Sequence, residues 1–359
     1  MATVLSYGLS GLGRVALHPL FTGPLLLSAL YRPDTIGDAL THIAQFLPEQ
    51  VTSYLPTTLD TPTAITTLQF LLGFGIIRKI NTFLNTLASN SWRAAPAPNW
   101  DWPREIAVIT GGSSGIGACM AHKLAAHGIR IAVLDIQPLP SDLASNPLIS
   151  YYQCDVTSSS SVEAAASSVR RDLGHATILI NNAGVAGPAP ILKTDEKFLR
   201  KIMGVNLMSM WFTTQAFLPN MIQTNKGHIV TVASIASFVA LLNAADYSAT
   251  KAGALAFHET LAQEIKHVYK APNVLTTVVH PNFVSTPLVK DFEDKLKKAG
   301  VKLMTGDRVA EEIVQRVLSR RGGQVVIPQR ETVISSIRGW PTWLQEALRD
   351  YVSKGSVEG

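Results

Sequence analysis

The sequence has few charged residues and few cysteines. Asp, Glu, Lys and Arg make up 16% of its 359 residues, below the roughly 25% typical of soluble domains, and its mean hydropathy is positive. For a globular chain this balance suggests contact with lipid. Cys119 and Cys154 are the only cysteines, too few for a disulfide framework and without the spacing of metal ligands. We therefore expect no metal site and a catalytic part that faces the reducing cytosol.

Basic clusters and targeting signals are also missing. The net charge of +5 is dispersed, and no long Lys/Arg run alternates with aromatic residues, so nucleic-acid binding has no support. A cleavable signal peptide is not expected, because the only early charge, Arg14, precedes an apolar run that is broken by prolines. Ala2 stands where N-myristoylation requires glycine.

Residues 1–90 form a sparsely charged N-terminal region with two apolar stretches, residues 15–31 and 64–77. Both fall short of the roughly 20 uninterrupted apolar residues that a spanning helix needs, so we expect them to lie in, or dip into, one leaflet. Arg78 and Lys79, which end the second stretch, favour keeping the following chain on the cytosolic side. A helical hairpin packed on the protein itself is the alternative.

A linker rich in proline and tryptophan, residues 91–104, separates this region from the rest. Its tryptophans, Trp92, Trp100 and Trp102, would sit at a headgroup interface or cover the protein core. Beyond residue 330, the segment 331–359 resembles an amphipathic helix that would meet a membrane, a partner subunit or the protein's own core.

From residue 105 to residue 330, short apolar runs alternate with longer helical stretches. Seven runs are predicted to be buried strands: EIAVIT, IRIAVLD, LISYYQCD, ATILINNAG, GHIVTVAS, VLTTVVHP and QVVIP. Strands that alternate with helices predict an α/β fold with a doubly wound parallel sheet, which binds ligands at the carboxyl ends of its strands.

The first strand leads directly into a glycine-rich stretch, TGGSSGIG at residues 110–117, and then into a helix. Gly111, Gly115 and Gly117 permit a tight turn and close approach of a pyrophosphate, which a helix N-terminus attracts. Asp135 ends the second strand, 18 positions after Gly117, where an acid accepts hydrogen bonds from the adenosine ribose. Since a 2′-phosphate there would meet like charge, NAD is favoured over NADP.

The helix that begins near Asp246 carries Tyr247 and, four residues later, Lys251. Residues i and i+4 share one helix face, and an ammonium beside a phenol would draw the phenol pKa toward neutrality. The pair is therefore a candidate proton-transfer group, although the same spacing also occurs on ordinary exposed helices.

Together these motifs resemble the short-chain dehydrogenase/reductase family. The resemblance rests on TGGSSGIG, NNAG at residues 181–184, Asn206 in VNLMS, Ser234, and YSATK with Tyr247 and Lys251, and Ser234 precedes Tyr247 by the expected 13 residues. It implies a Rossmann fold. The surrounding sequence is similar to the subgroup of membrane-associated retinol dehydrogenases and lipid-droplet 17β-hydroxysteroid dehydrogenases, which also carry an apolar N-terminal anchor.

The resemblance implies four catalytic residues. Tyr247 would be the general acid/base and Ser234 would hydrogen-bond the same substrate oxygen. Lys251 would lower the pKa of Tyr247 and bind the nicotinamide ribose, while Asn206 would hold a water through which Lys251 exchanges protons. The implied cofactor-binding residues are Gly111, Ser113, Ser114, Gly115, Ile116, Gly117, Asp135, Asp155, Val156, Asn182, Ala183, Gly184, Tyr247, Lys251, Pro281, Val284 and Thr286.

Two residues close in sequence to the last predicted cofactor contacts, His280 and Asn282, are not expected to contact the cofactor themselves. Asn282 stands where the family usually has glycine, which makes the local turn harder to predict. His280 fits a structural role better than a catalytic one.

These features favour an NAD-dependent oxidoreductase that interconverts a lipophilic alcohol, of sterol, retinoid-like, long-chain or polyketide type, with its ketone or aldehyde. Residues 288–307 would form a mobile lid over such a substrate. An NADP-dependent biosynthetic ketoreductase and an inactive scaffold protein on membranes or lipid droplets are the alternatives. We expect attachment to the endoplasmic reticulum or to lipid droplets, with the catalytic domain in the cytosol, and the family implies a homodimer.

Overall fold

The computed structural model describes residues 15–32, 61–298 and 300–357. The chain divides into two compact units between Ala88 and Ser89, and each is described by itself. The first unit contains helix α1 (Pro19–Tyr31), and helix α2 (Thr61–Ser89) ends at the boundary.

Helices α1 and α2 are apolar and approach each other closely. A Cβ added at Gly75 of α2 would lie 2.2 Å from the carbonyl oxygen of Leu17, so only glycine permits this approach. Most of the large apolar side chains of α2, such as Phe70 and Phe74, are nevertheless exposed.

Helix α2 is longer than the sequence run predicted. It continues past Arg78 and Lys79 for another ten residues to Ser89, because these ten residues contain no proline or glycine to end the helix. Within the described part of the chain, Pro62–Ser89 is the one helix long and apolar enough to cross a membrane. The length of α2 therefore gives no support to the expectation that this segment only enters one leaflet.

The second unit is built on a parallel sheet of seven strands in the order β3-β2-β1-β4-β5-β6-β9. The strands are β1 (Ile106–Thr110), β2 (Arg130–Asp135), β3 (Ile149–Gln153), β4 (Ile178–Asn181), β5 (Gly227–Val232), β6 (Val274–Pro281) and β9 (Gly323–Ile327). Strands β7 (Val284–Ser285) and β8 (Met304–Thr305) form a separate pair. All seven predicted strands are present, and the doubly wound sheet is confirmed.

Helices cover both faces of the sheet, which explains why its strands are almost continuously apolar. The helices of this unit are α3 (Gly115–Ala126), α4 (Ser141–Ala144), α5 (Ser159–Asp172), α6 (Glu196–Met203), α7 (Ser209–Thr224), α8 (Ala245–His267), α9 (Glu293–Lys298), α10 (Gly306–Leu318) and α11 (Thr342–Val357). Met120 of α3 and Ile313 of α10 pack on one face, whereas Val162 of α5 and Leu261 of α8 pack on the other.

The sheet order reverses between β1 and β4, since β1 leads outward through β2 and β3 while β4 leads the other way. Ligands of such sheets bind in the crevice beyond the carboxyl ends of the strands at this point. Thr110 ends β1 and Asn181 ends β4, so the glycine-rich stretch and the NNAG segment both begin at this crevice.

Residues 90–105, here named the strap, run along the opposite edge of the sheet, where the strands begin. Asn90 Oδ1 accepts a hydrogen bond from the Gly322 N–H at 3.2 Å, and the Ala97 N–H donates to the Arg320 carbonyl at 2.9 Å. Trp100 and Trp102 pack against the apolar core. Of the two roles expected for these two tryptophans, the structure shows the covering of the core.

Candidate active site

The glycine-rich turn after β1 is compressed against the start of helix α3. Gly111 and Gly115 have φ angles of +64° and +54°, a region that side chains other than glycine rarely adopt. A Cβ at Gly117 would lie 2.2 Å from the Gly111 carbonyl oxygen. Glycine is therefore required at all three positions for backbone reasons.

Helix α3 presents an uncapped N-terminus at this turn. Ser114 occupies the N-cap position without a side-chain hydrogen bond to the first turn, which begins with Gly115 and Ile116. Free N–H groups and the positive end of the helix dipole attract phosphate. This arrangement fits the pyrophosphate of a dinucleotide cofactor.

Asp135, at the end of β2, is fixed by two backbone donors. Its Oδ2 accepts from the Ser113 N–H and its Oδ1 from the Gln137 N–H, each at 3.0 Å. The Ser113 hydroxyl donates to the Gln137 carbonyl at 2.9 Å. The carboxylate is thus held beside the glycine-rich turn with lone pairs left for further donors.

The NNAG segment is joined to the same turn by Thr110. The Thr110 hydroxyl oxygen accepts from the N–H groups of Asn182 and Ala183, both at 3.0 Å, and Asn182 Nδ2 donates to the Gly111 carbonyl at 3.0 Å. Thr110 is not among the site residues that the sequence motifs predict. A threonine as the last residue of a strand before such a turn is the signal that would have identified it.

Asp155 and Val156 follow β3, as predicted, but their side chains differ in environment. Asp155 is exposed and its Oδ1 accepts from both the N–H and the hydroxyl of Thr157. Val156 is buried. The carboxylate of Asp155 therefore stabilises its own turn. Val156 supplies the apolar side chain at the end of β3.

Asn206 lies in a π-helical turn, Gly204–Met208, between α6 and α7, a feature often found at functional sites. The residue is fully buried. Its Oδ1 accepts from the Val185 N–H at 2.8 Å and its Nδ2 donates to the Val185 carbonyl at 2.9 Å. The side chain thereby fixes the segment that follows Gly184.

Ser234, Tyr247 and Lys251 come together beyond the end of β5. Ser234 caps the short 3₁₀ helix Ile235–Ser237, where its Oγ accepts from the Ala236 N–H at 3.2 Å. The Ser234 side chain lies near the phenol of Tyr247 and acts to lower its pKa. Lys251, one turn along α8, has its Nζ 5.6 Å from the centre of the Tyr247 ring.

Burial controls the electrostatics of this group. It raises the pKa of Tyr247, and the Ser234 side chain acts in the opposite direction. It also lowers the pKa of Lys251 to about 8. The expected lowering of the Tyr247 pKa by Lys251 is therefore not what the structure shows, because desolvation of the phenolate dominates and the one opposing influence comes from Ser234.

Pro281, Val284 and Thr286 lie where β6 leads toward the glycine-rich turn. Pro281 is the last residue of β6 and Val284 begins β7. A Cβ at Gly115 would lie 3.4 Å from the Thr286 Cβ, so Thr286 stands directly beside the start of α3. Asn282 is not among the residues with positive φ, which explains why this position tolerates a residue other than glycine.

His280 is fully buried. Its Nδ1 lies 3.1 Å from the Ser234 carbonyl oxygen and its Nε2 lies 3.1 Å from the Gln324 amide. Burial lowers its pKa to about 4, so the ring is neutral near pH 7. Among the described residues, no group of three or more His, Cys, Asp or Glu side chains could hold a metal ion.

Comparison with known proteins defines the class. A family model described as short chain dehydrogenase matches residues 105–297. The chain is 40% identical over 200 residues to Dehydrogenase RED2 of Cochliobolus heterostrophus, covering 56% of this chain and 75% of that protein. It is 32% identical over 243 residues to short-chain dehydrogenase/reductase family 16C member 6 of Bos taurus, covering 66% and 76%.

A retinol dehydrogenase and a solved structure also match the chain. Retinol dehydrogenase 10-B of Danio rerio is 34% identical over 208 residues, which cover 51% of this chain and 62% of that protein. A short chain dehydrogenase/reductase from Burkholderia phymatum, solved in complex with NAD, superposes with a TM-score of 0.61 at 22% identity, over 69% of this chain and 97% of that one. This structural likeness shows the fold.

The protein is thus a nicotinamide-dependent oxidoreductase that acts on CH–OH groups and interconverts an alcohol with its carbonyl compound. It belongs to the short-chain dehydrogenase/reductase family, and its relatives place it with the retinol and 17β-hydroxysteroid dehydrogenase type.

Proposed function

We propose that the protein is a membrane-attached, NAD-dependent dehydrogenase of a lipophilic alcohol, with Tyr247 as its general acid/base. The observation that supports this most strongly is the joint placement of Ser234, Tyr247 and Lys251, in which the serine side chain lies near the phenol and the lysine lies one helical turn away. Asn206 completes the group by fixing the backbone of Val185, which follows Gly184.

The chemistry assigned to each residue follows from its surroundings. A bound nicotinamide ring supplies or accepts the hydride. In oxidation the Tyr247 phenolate takes the proton of the alcohol, and in reduction the Tyr247 hydroxyl gives its proton to the carbonyl oxygen. The Ser234 hydroxyl hydrogen-bonds that same oxygen. The Lys251 ammonium supplies positive charge near the phenol and a donor for the nicotinamide ribose. Gly111, Gly184 and the other cofactor-binding residues predicted above would hold the rest of the dinucleotide.

NAD is proposed as the cofactor because of Asp135. Its carboxylate is already oriented by the N–H groups of Ser113 and Gln137, so it cannot turn away from a 2′-phosphate without losing both hydrogen bonds. The like charges would repel, whereas ribose hydroxyls would donate to the remaining lone pairs.

Exposed leucines on the segments that follow Gly184 and Ser234 support a lipophilic substrate. Leu192, in the segment between β4 and α6, is 99% exposed, and Leu242, between Ser234 and α8, is also exposed. The Ala189 N–H donates to the Asn243 carbonyl at 2.7 Å, which joins these two segments. Exposed leucines at such a position favour contact with apolar ligands. The name of the retinol dehydrogenase relative agrees with a lipophilic alcohol of sterol, retinoid-like, long-chain or polyketide type.

Membrane attachment through residues 1–90 is supported by the length of α2 and its exposed phenylalanines. We propose the endoplasmic reticulum or a lipid droplet as the location, with residues 105–330 as the dehydrogenase domain in the cytosol. The homodimer implied by the family remains a prediction.

Turnover of detergent-solubilised protein with a panel of alcohols tests this proposal. The panel contains sterol, retinoid, long-chain and polyketide-type alcohols and, as the contrast, short water-soluble alcohols. We expect NADH formation with at least one lipophilic class. Greater activity on the short alcohols would show that the substrate class is wrong.

A further inference from the structure

The 3₁₀ helix Gln329–Gly339, which follows β9, contacts segments on both sides of the site. Near its start, Glu331 Oε2 accepts a hydrogen bond from Asn282 Nδ2 at 2.6 Å. Near its end, Arg338 Nη2 donates to the Ser237 carbonyl at 3.2 Å. This helix lies outside every motif that the sequence identifies.

Asn282 is held by three hydrogen bonds that use its backbone and both ends of its side chain. Its N–H donates to the Ile327 carbonyl at 2.8 Å, which extends the pairing of β6 with β9. Its Oδ1 accepts from the Phe283 N–H at 2.9 Å, and its Nδ2 donates to Glu331. The carboxylate of Glu331 therefore fixes the orientation of the amide that holds Phe283.

The residues after Phe283 are those assigned to the cofactor. The Phe283 carbonyl accepts from the Met304 N–H at 3.0 Å, and Val284 and Thr286 follow within three residues. Thr286 in turn stands beside Gly115. A change in the orientation of Asn282 is transmitted to these residues over a short length of chain.

We propose that Glu331 is a positioning residue for the cofactor, acting through Asn282 on the loop that carries Val284 and Thr286. The inference rests on the cofactor contacts proposed above for this loop. A hydrogen bond from an amide to a carboxylate is charge-assisted and stronger than one between neutral groups. Glu331 is only 20% exposed in its side chain, so water competes weakly for its oxygen.

Binding of NADH and of AMP to the full chain in detergent tests the proposal. Glu331→Ala is expected to weaken NADH binding about tenfold, the scale of a lost hydrogen bond to a charged group. AMP, which carries only the adenosine half, should bind with unchanged affinity. Glu331→Gln retains an acceptor for Asn282 and should stay within about twofold of the unaltered chain. Glu346→Ala removes an exposed acid of α11 that pairs with Arg349 and is the matched control.

Repeating the substitution in an Asn282→Gly variant shows whether Glu331 acts through Asn282 or only stabilises the fold. In Asn282→Gly, which removes the amide, adding Glu331→Ala should not weaken NADH binding further. An equal loss in both backgrounds, or an equal loss of NADH and AMP affinity, would overturn the inference. If the unaltered chain bound AMP but not NADH, both this inference and the proposed function would fail, whereas normal NADH binding that Glu331→Ala leaves unchanged would contradict the inference alone.

Discussion

Lys251 Nζ donates a hydrogen bond to the main-chain carbonyl oxygen of Val232 at 2.9 Å. Lys251 is 4% exposed. Its buried ammonium is thus paired with a neutral carbonyl at the end of β5. Its pKa falls to about 8 from an ordinary value of 10.5 because burial disfavours the charged form. The folded protein thus carries this charge at pH 7 at some cost in stability.

This cost predicts a pH dependence of stability. Between about pH 8 and pH 10.5 the unfolded chain still binds the lysine proton and the folded chain has lost it, so the contribution of Lys251 to stability rises with pH. Relative to Lys251→Met, the free energy of unfolding of the unaltered chain should rise by up to about 3 kcal/mol across this window.

Urea unfolding of the two proteins at several pH values measures the difference. Below the window, at about pH 6 to 7, the difference should be constant. A difference that stayed constant through pH 10, or that fell, would show that the pKa of Lys251 is not depressed.

Asp135 should determine the choice of cofactor. The unaltered protein is expected to have a kcat/KM at least about tenfold higher with NAD than with NADP, and Asp135→Ser should remove most of this preference because the like charge is gone. Steady-state kinetics with both cofactors measure the ratio. An unaltered protein that preferred NADP would support the ketoreductase alternative.

Removal of residues 1–88 should release the protein from membranes, because it removes the apolar helices α1 and nearly all of α2 while leaving the second unit intact. The measurement is the fraction that remains in the supernatant after centrifugation of lysed cells. If the truncated protein still pelleted with membranes, the attachment would have to come from the dehydrogenase domain or from its C-terminal helix.

A longer truncation should damage the domain itself. Removal of residues 1–104 also deletes the strap, with the Asn90 contact to Gly322 and the packing of Trp100 and Trp102. We expect a Tm lower by roughly 10 °C than after removal of residues 1–88, since buried aromatic side chains are lost. Equal Tm values would show that the strap does not stabilise the fold.

The sheet and the glycine-rich turn were predictable from the sequence because their signals are local. A buried parallel strand such as Ile106–Thr110 is continuously apolar, and the glycines at 111, 115 and 117 are required by backbone geometry within one turn. These features depend on neighbours that are close in the chain, so the pattern of residues is enough to find them.

Contacts between distant residues were not predictable in this way. The hydrogen bonds of Asn206 with Val185 and of Asn282 with Glu331 join positions 21 and 49 residues apart. The direction of the pKa shift of Tyr247 depends on burial, which the helical spacing of Tyr247 and Lys251 does not reveal. The length of α2 does not follow from its uninterrupted apolar run, because the helix continues through a basic pair.

The role of Tyr247 as general acid/base is tested most directly by comparing Tyr247→Phe with Tyr269→Phe. NADH formation from the alcohol panel and NADH binding are measured on the same samples. Tyr269 is exposed and outside the site. We expect Tyr247→Phe to lose at least about a thousandfold in turnover and to keep its affinity for NADH. Tyr269→Phe should behave as the unaltered protein. Appreciable turnover by Tyr247→Phe would show that another group moves the proton and would contradict the central claim.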